Sequence, residues 1–148
     1  MFISMFREIE FRAKKTYTNK WVYGSGIIPV FENGYKTNKM KIVEKVCYDE
    51  LSNYEAEYVS FEIKPETIGQ YTGLKDKNGV EIYEGDIVRI SPYKVIVVCW
   101  KENFCAFKLE HRYHDNDFVD LLDLTRGKAL HIEVIGNIYE NKELLENE

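Results

Sequence analysis

The chain has 148 residues, 45% of them hydrophobic and 14% aromatic, with 30% charged residues and a net charge of −5. That length fits one domain or two small lobes, and the apolar and aromatic share excludes a disordered chain. No apolar run approaches the roughly eighteen residues of a membrane helix, and the acidic balance excludes a binder that relies on a basic surface all over.

Residues 1–7, M-F-I-S-M-F-R, lack a positive lead and a long apolar core, so they do not read as a secretory signal. Residues 8–12 alternate polar and apolar, the period of a half-buried strand. Residues 20–23 read as its hairpin partner across a polar turn at 14–19. Gly24-Ser25-Gly26 breaks the run, and residues 27–31 form a strand that Pro29 confines to an edge. Asn33-Gly34 is a two-residue turn, since both positions tolerate positive φ. Residues 39–48 and 58–63 are two further strands. The polar piece between them is a loop or a short helix, with Asp49 or Ser52 as cap and Glu55 three residues past Ser52.

The most informative stretch is 67–90, T-I-G-Q-Y-T-G-L-K-D-K-N-G-V-E-I-Y-E-G-D-I-V-R-I. Its four glycines, Gly69, Gly73, Gly79 and Gly85, separate short apolar runs, the mark of strands joined by specified turns. A strand is expected at 67–71. Asp76-Lys77-Asn78-Gly79 is a hairpin turn with glycine placed for a left-handed backbone, and Tyr83-Glu84-Gly85-Asp86 is a second tight turn. Gly73, Asp76, Asn78, Gly79, Gly85 and Asp86 are therefore assigned to turn structure. Strands follow at 87–90 and 95–100, the second a near-continuous apolar run that marks the most buried strand. The chain turns at Glu102-Asn103, returns over 104–109, and closes with a strand at 130–138 that points Leu130, Ile132 and Val134 inward against His131, Glu133 and Ile135. Residues 141–147 suit one or two helical turns that dock Leu144 and Leu145. The expected fold is mainly β, in two β-rich lobes, 1–64 and 65–148. The order from 81 to 138 suggests that the second lobe is an SH3-like barrel.

Chemistry-bearing residues are sparse. His111-Arg112-Tyr113-His114-Asp115-Asn116-Asp117 puts two imidazoles near carboxylates, but Arg112 disfavours a dication, and the stretch is read as a solvated polar loop. Cys105, in F-C-A-F, keeps the company of a packed thiol and is not assigned as a nucleophile toward His111 or His131. Cys47, Cys99 and Cys105 are an odd set without close pairing, expected as buried or half-buried thiols in a reducing cytoplasm. Glu84 and Asp86 flank Gly85, where turn chemistry outweighs acid–base work. Gly69 and Gly73 with Lys75 do not make a phosphate loop, because Leu74 and Asp76 stand where lysine and Ser or Thr are required. No catalytic residue, metal site or cofactor is assigned. Lys14, Lys15 and Lys20 around Trp21, with Tyr17 and Tyr23, form a candidate nucleic-acid patch. A hairpin with aromatic cross-strand pairs has the same pattern. Tyr71, Tyr83, Tyr93 and Trp100 are candidates for a peptide groove, with packing as the default.

The block T-G-L-K-D-K-N-G-V-E-I-Y-E-G-D-I-V resembles the signature of the YopX proteins of phages and prophages in Gram-positive bacteria. The opening R-E-I-E-F-R-A at 7–13 is similar to that family's R-x-I-x-F-R-A, and E-V-I-G-N-I-Y-E-N at 133–141 is similar to its close. One departure is Lys142, where the family often has proline, which weakens a helix start. The resemblance spans nearly the whole chain and implies origin and fold rather than chemistry. The expectation is a non-enzymatic phage or prophage accessory protein in the cytoplasm of a bacterial host. It would bind an unidentified phage or host protein and form a homo-oligomer, since exposed strand edges and aromatics benefit from burial. Nucleic-acid binding through the basic hairpin is the alternative, and no membrane role is expected.

Overall fold

The computed structural model describes residues 8–45, 58–92, 94–104, 106–110, 118–120 and 132–146. Antiparallel strands dominate them, as the aromatic and β-branched content requires. Two units are distinguished, Met1–Gln70 and Tyr71–Glu148.

In the first unit, β1 (Phe11–Lys14) and β2 (Trp21–Gly24) form the expected hairpin, pairing Ala13 with Val22 and Lys14 with Trp21. The two-residue period puts Ala13 and Val22 on one face and Arg12, Lys14, Trp21 and Tyr23 on the other. Three further strands, β3 (Gly26–Glu32), β4 (Tyr35–Lys45) and β5 (Tyr58–Ile63), lie in the order β3-β4-β5. Pro29 sits on β3, an outer strand, as its missing N–H demands. Asn33 and Gly34 both have positive φ, 51° and 81°. This tight turn returns the chain at once, so β4 starts at Tyr35 and not at residue 39. Ala13, Val22, Ile42 and Ile63 form the core, with Phe11, Ile27, Met40, Phe61 and Ile68 packed on it. Gly24 is fixed by proximity: a Cβ there would run into the Val43 carbonyl oxygen. The Ser25 N–H donates to that same oxygen at 3.0 Å.

The strand expected from residue 67 begins later. Pro65–Thr67 is a 3-10 turn. The Thr67 hydroxyl donates to the Lys64 carbonyl at 2.7 Å and accepts from the Lys14 N–H at 2.8 Å. A side chain that satisfies local backbone groups in this way competes with strand extension. β6 (Gly69–Lys75) follows, and its first residues pair with β1, Gln70 with Phe11 and Gly69 with Arg12.

In the second unit, the rest of β6 pairs with β7 (Glu81–Tyr83). β8 (Asp86–Ser91), β9 (Lys94–Lys101), β10 (Ala106–Glu110), β11 (Phe118–Asp120) and β12 (Glu133–Asn137) make a sheet in the order β11-β10-β9-β8-β12. Ile82, Val88, Ile96, Val98, Phe107, Leu109 and Ile132 are its buried core. Each such side chain contributes about 1.5–3 kcal/mol when fully withdrawn from water. The connection after β9 is a 3-10 turn, Glu102–Phe104, which takes Phe104 out of the returning strand. A register shift between Val134 and Gly136 interrupts the alternation expected along β12. A single 3-10 turn, Lys142–Leu145, stands where one or two helical turns were expected.

The SH3-like barrel is not confirmed. Among the described residues no sheet closes on itself: β12 pairs with β8 and β11 with β10, so the sheet runs between two outer strands. A strand order read from turn spacing predicts neighbours but not closure, which needs a consistent tilt and stagger.

Candidate functional site

Asp76 opens the D-K-N-G turn and is 7% exposed. One carboxylate oxygen, Oδ1, accepts the N–H groups of Asn78 at 2.7 Å and Val80 at 2.9 Å. The other, Oδ2, accepts the N–H of Val134, on β12, at 3.0 Å. The Lys77 N–H donates to the Ile132 carbonyl at 3.0 Å, beside this bond. Burial alone would push the Asp76 pKa up. The three backbone donors and the charge of Lys77 outweigh it and hold the carboxyl below its ordinary 3.8. Gly79 has φ 81°, so the turn needs glycine where the sequence puts it.

The second turn has the same construction. Asp86, 1% exposed, accepts the Tyr83 N–H at 2.7 Å through Oδ2. Gly85 has φ 83°; its N–H donates to the Val98 carbonyl at 2.8 Å and its carbonyl accepts from Ile138 N–H at 2.9 Å. The closing motif is bonded to itself as well. Asn137 Oδ1 accepts the N–H groups of Tyr139 and Glu140, and Asn141 Oδ1 accepts the N–H of Asn137. The D-K-N-G and E-G-D turns and the E-V-I-G-N-I-Y close are thus brought together through backbone hydrogen bonds. Gly73 is not in a turn. It lies within β6 at the register shift between Tyr71 and Lys75, with φ 86°. Tyr71 and Tyr83 are both buried, their ring centroids 5.4 Å apart. Trp100 is partly exposed and packs edge-on against Phe107. Tyr93 lies outside the described residues.

The basic hairpin is arranged differently from a phosphate-binding patch. Lys14 is 5% exposed, with its Nζ 5.3 Å from the Trp21 ring centroid. The Arg12 guanidinium lies 4.7 Å over the same ring. Lys15 Nζ stands 3.3 Å over Phe61. These cations stack on aromatic faces of their own unit. Of the three lysines in the candidate patch, Lys20 alone is exposed.

Sequence reasoning took Asn33-Gly34 as a turn and missed what the turn displays. Only Met40–Lys45 of β4 pairs with β5, so the start of β4 continues with β3 as a two-stranded ribbon. Phe31, facing Lys36 across the ribbon, is 60% exposed, and Tyr35, facing Glu32, is 79% exposed. The ribbon is braced by Thr37 Oγ1 donating to the Val30 carbonyl at 2.8 Å and by a 2.8 Å ion pair of Lys39 with Glu32. The Glu32 hydrogen bond and charge push the Lys39 pKa up. The available signal was F-E-N-G-Y, a turn with an aromatic on each flank.

Cys99 is held as a neutral thiol. Burial first, then Glu110, which accepts its S–H at 3.4 Å, push its pKa up to about 12. The Lys101 ammonium, 2.8 Å from Glu110 Oε2, holds that carboxyl below its ordinary 4.5. A thiol so placed is a poor nucleophile. Cys47, Cys105, His111, His114, Asp115 and His131 lie outside the described residues. Among those described, no three His, Cys, Asp or Glu side chains stand together to hold a metal ion. No described helix is long and apolar enough to cross a membrane.

A β protein whose glycine turns are fastened by buried carboxylates and asparagines is the class these features define. The chain belongs to the YopX protein family, which it matches over residues 10–146. Its fold is similar to that of a crystal structure, protein EF1440 from Enterococcus faecalis, with 29% identity and a TM-score of 0.52 over 93% of this chain and 97% of that one. No curated protein matches it.

Proposed function

We propose that the protein is a non-enzymatic accessory protein of phage or prophage origin, acting in the host cytoplasm by binding another macromolecule, including further copies of itself. The observation that carries this reading is the β3–β4 ribbon. A two-stranded ribbon is marginal by itself in water, yet this one exposes Phe31 and Tyr35 at its end. Aromatic side chains presented on a hairpin suit the buried centre of an interface better than they suit solvent. The acidic character of the chain favours a protein partner over a polyanion. The test is affinity capture from cells carrying the parent phage or prophage, together with light scattering, on the parent chain and a Phe31→Ser/Tyr35→Ser variant. Loss of capture and of any self-association in the variant, at unchanged stability, supports the reading. Capture that persists unchanged overturns it.

Nucleic-acid binding through Lys14, Lys15, Lys20 and Trp21 is the weaker reading, because Lys14 is buried and Lys15 is stacked on Phe61. It requires salt-sensitive binding of single strands that Lys20→Glu weakens.

A further inference from the structure

The sheet of the second unit has a face away from its core cluster. Val97 and Glu110 are register partners across β9 and β10 on that face. With Ile138, Lys142 and Leu145 they line a cleft of about 370 Å³. This volume lies in the range of sites for small organic molecules. The floor is aliphatic: Val97, Ile138 and Leu145. Its two charges differ in how they are engaged. Glu110 Oε2 takes the Lys101 ammonium at 2.8 Å and the Cys99 S–H at 3.4 Å, while Oε1 accepts no hydrogen bond among the described residues. Lys142 makes no ion pair among them. Glu110 is thus already engaged by Lys101, while Lys142 is an exposed cation at the rim of the cleft.

We propose that this cleft binds a small amphipathic carboxylate with an adjacent N–H donor and an apolar side chain: an aliphatic amino acid or the C-terminal residue of a peptide. The carboxylate meets Lys142, the N–H donates to Glu110 Oε1, and the side chain covers Val97, Ile138 and Leu145. Each part of the ligand answers one part of the cleft. A carboxylate gains a cation in Lys142, and an apolar side chain gains the aliphatic surface, which a purely ionic ligand would leave wet. Lys101 and the protonated Cys99 position the carboxylate of Glu110 and are not themselves ligands.

The experiment is a titration of the full chain with L-leucine, N-acetylglycyl-L-leucine and L-leucinamide, followed by backbone amide NMR shifts. The expected result is saturable shifts at the amides of Val97, Ile138 and Leu145 with at least one of the two carboxylates. Leucinamide, which lacks the carboxylate, should bind about tenfold more weakly, the scale of one charge-assisted contact. Preference for leucine over the acetylated dipeptide marks a free amino acid as the ligand, and the reverse preference marks a peptide terminus. Lys142→Ala, a change on an exposed turn that leaves the core intact, should weaken carboxylate binding to the level of leucinamide. No saturable shift with either carboxylate overturns the proposal. So does equal binding of leucinamide, or binding that Lys142→Ala leaves unchanged.

Discussion

The D-K-N-G and E-G-D turns of the second unit and the β3–β4 ribbon of the first are both built on glycine turns, and they use them in opposite ways. At Asp76 and Asp86 the polar groups are buried and bonded to backbone, with Asp76 reaching β12 through Val134. Around Asn33-Gly34 the braces lie within the ribbon itself, Thr37 to Val30 and Lys39 to Glu32, and Phe31 and Tyr35 are left in water. The densest motif of the sequence thus encodes the frame, while the displayed surface lies in a plainer stretch. A buried carboxylate with three N–H donors cannot be altered without leaving donors unpaired. An exposed aromatic can be changed at little cost to folding.

Mutations at the turns and in the hairpin should differ sharply in their cost. The largest effect is expected for Asp76→Ala, which strands the N–H groups of Asn78, Val80 and Val134. It should cost about 3–5 kcal/mol, read as a fall in the urea midpoint. Asp76→Asn keeps one acceptor oxygen for the turn and should lose roughly half as much. Gly85→Ala places a Cβ 3.0 Å from the Tyr139 ring at φ 83°. It should cost about 1–3 kcal/mol by the same assay. Lys14→Glu, in the hairpin, puts a carboxylate where a cation stacks on Trp21 and should destabilise by about 1–3 kcal/mol, whereas exposed Lys20→Glu should stay within about 0.5 kcal/mol.

Acid sharpens the contrast within one chain. The folded pKa of Asp76 lies below its unfolded value, so the folded state binds fewer protons there. Its contribution is complete above the ordinary 3.8 and is lost as pH falls below that toward the folded value. Glu110 has the same sign from its ordinary 4.5. Stability measured in urea should therefore drop as pH falls from about 5 toward 3, and Asp76→Asn should flatten part of that slope. An unchanged slope in the variant would remove Asp76 as a cause.

Much of the frame was legible because turn chemistry is local. Asn33-Gly34, Gly79 and Gly85 demand positive φ from their own neighbours, and the strand read at 58–63 is β5, Tyr58–Ile63. Gly73 was misplaced because a bulge and a turn make the same local request of a glycine. The Asp76–Val134 bond was not legible, since it joins residues far apart in sequence that only the folded sheet brings together. The fate of Lys14 was equally hidden. Its pairing with Trp21 follows from the hairpin, but its burial depends on distant packing. Phe31 read as an ordinary strand aromatic and Tyr35 as a residue between strands; that β5 pairs only with Met40–Lys45 and leaves both bare is a matter of register, which nothing local states.

The most direct test compares two variants in one urea denaturation experiment, Asp76→Ala and Phe31→Ser/Tyr35→Ser. A large fall in midpoint is expected for the first, and an unfolding free energy within about 0.5 kcal/mol of the parent for the second. A stable Asp76→Ala protein beside a collapsed ribbon variant would contradict it.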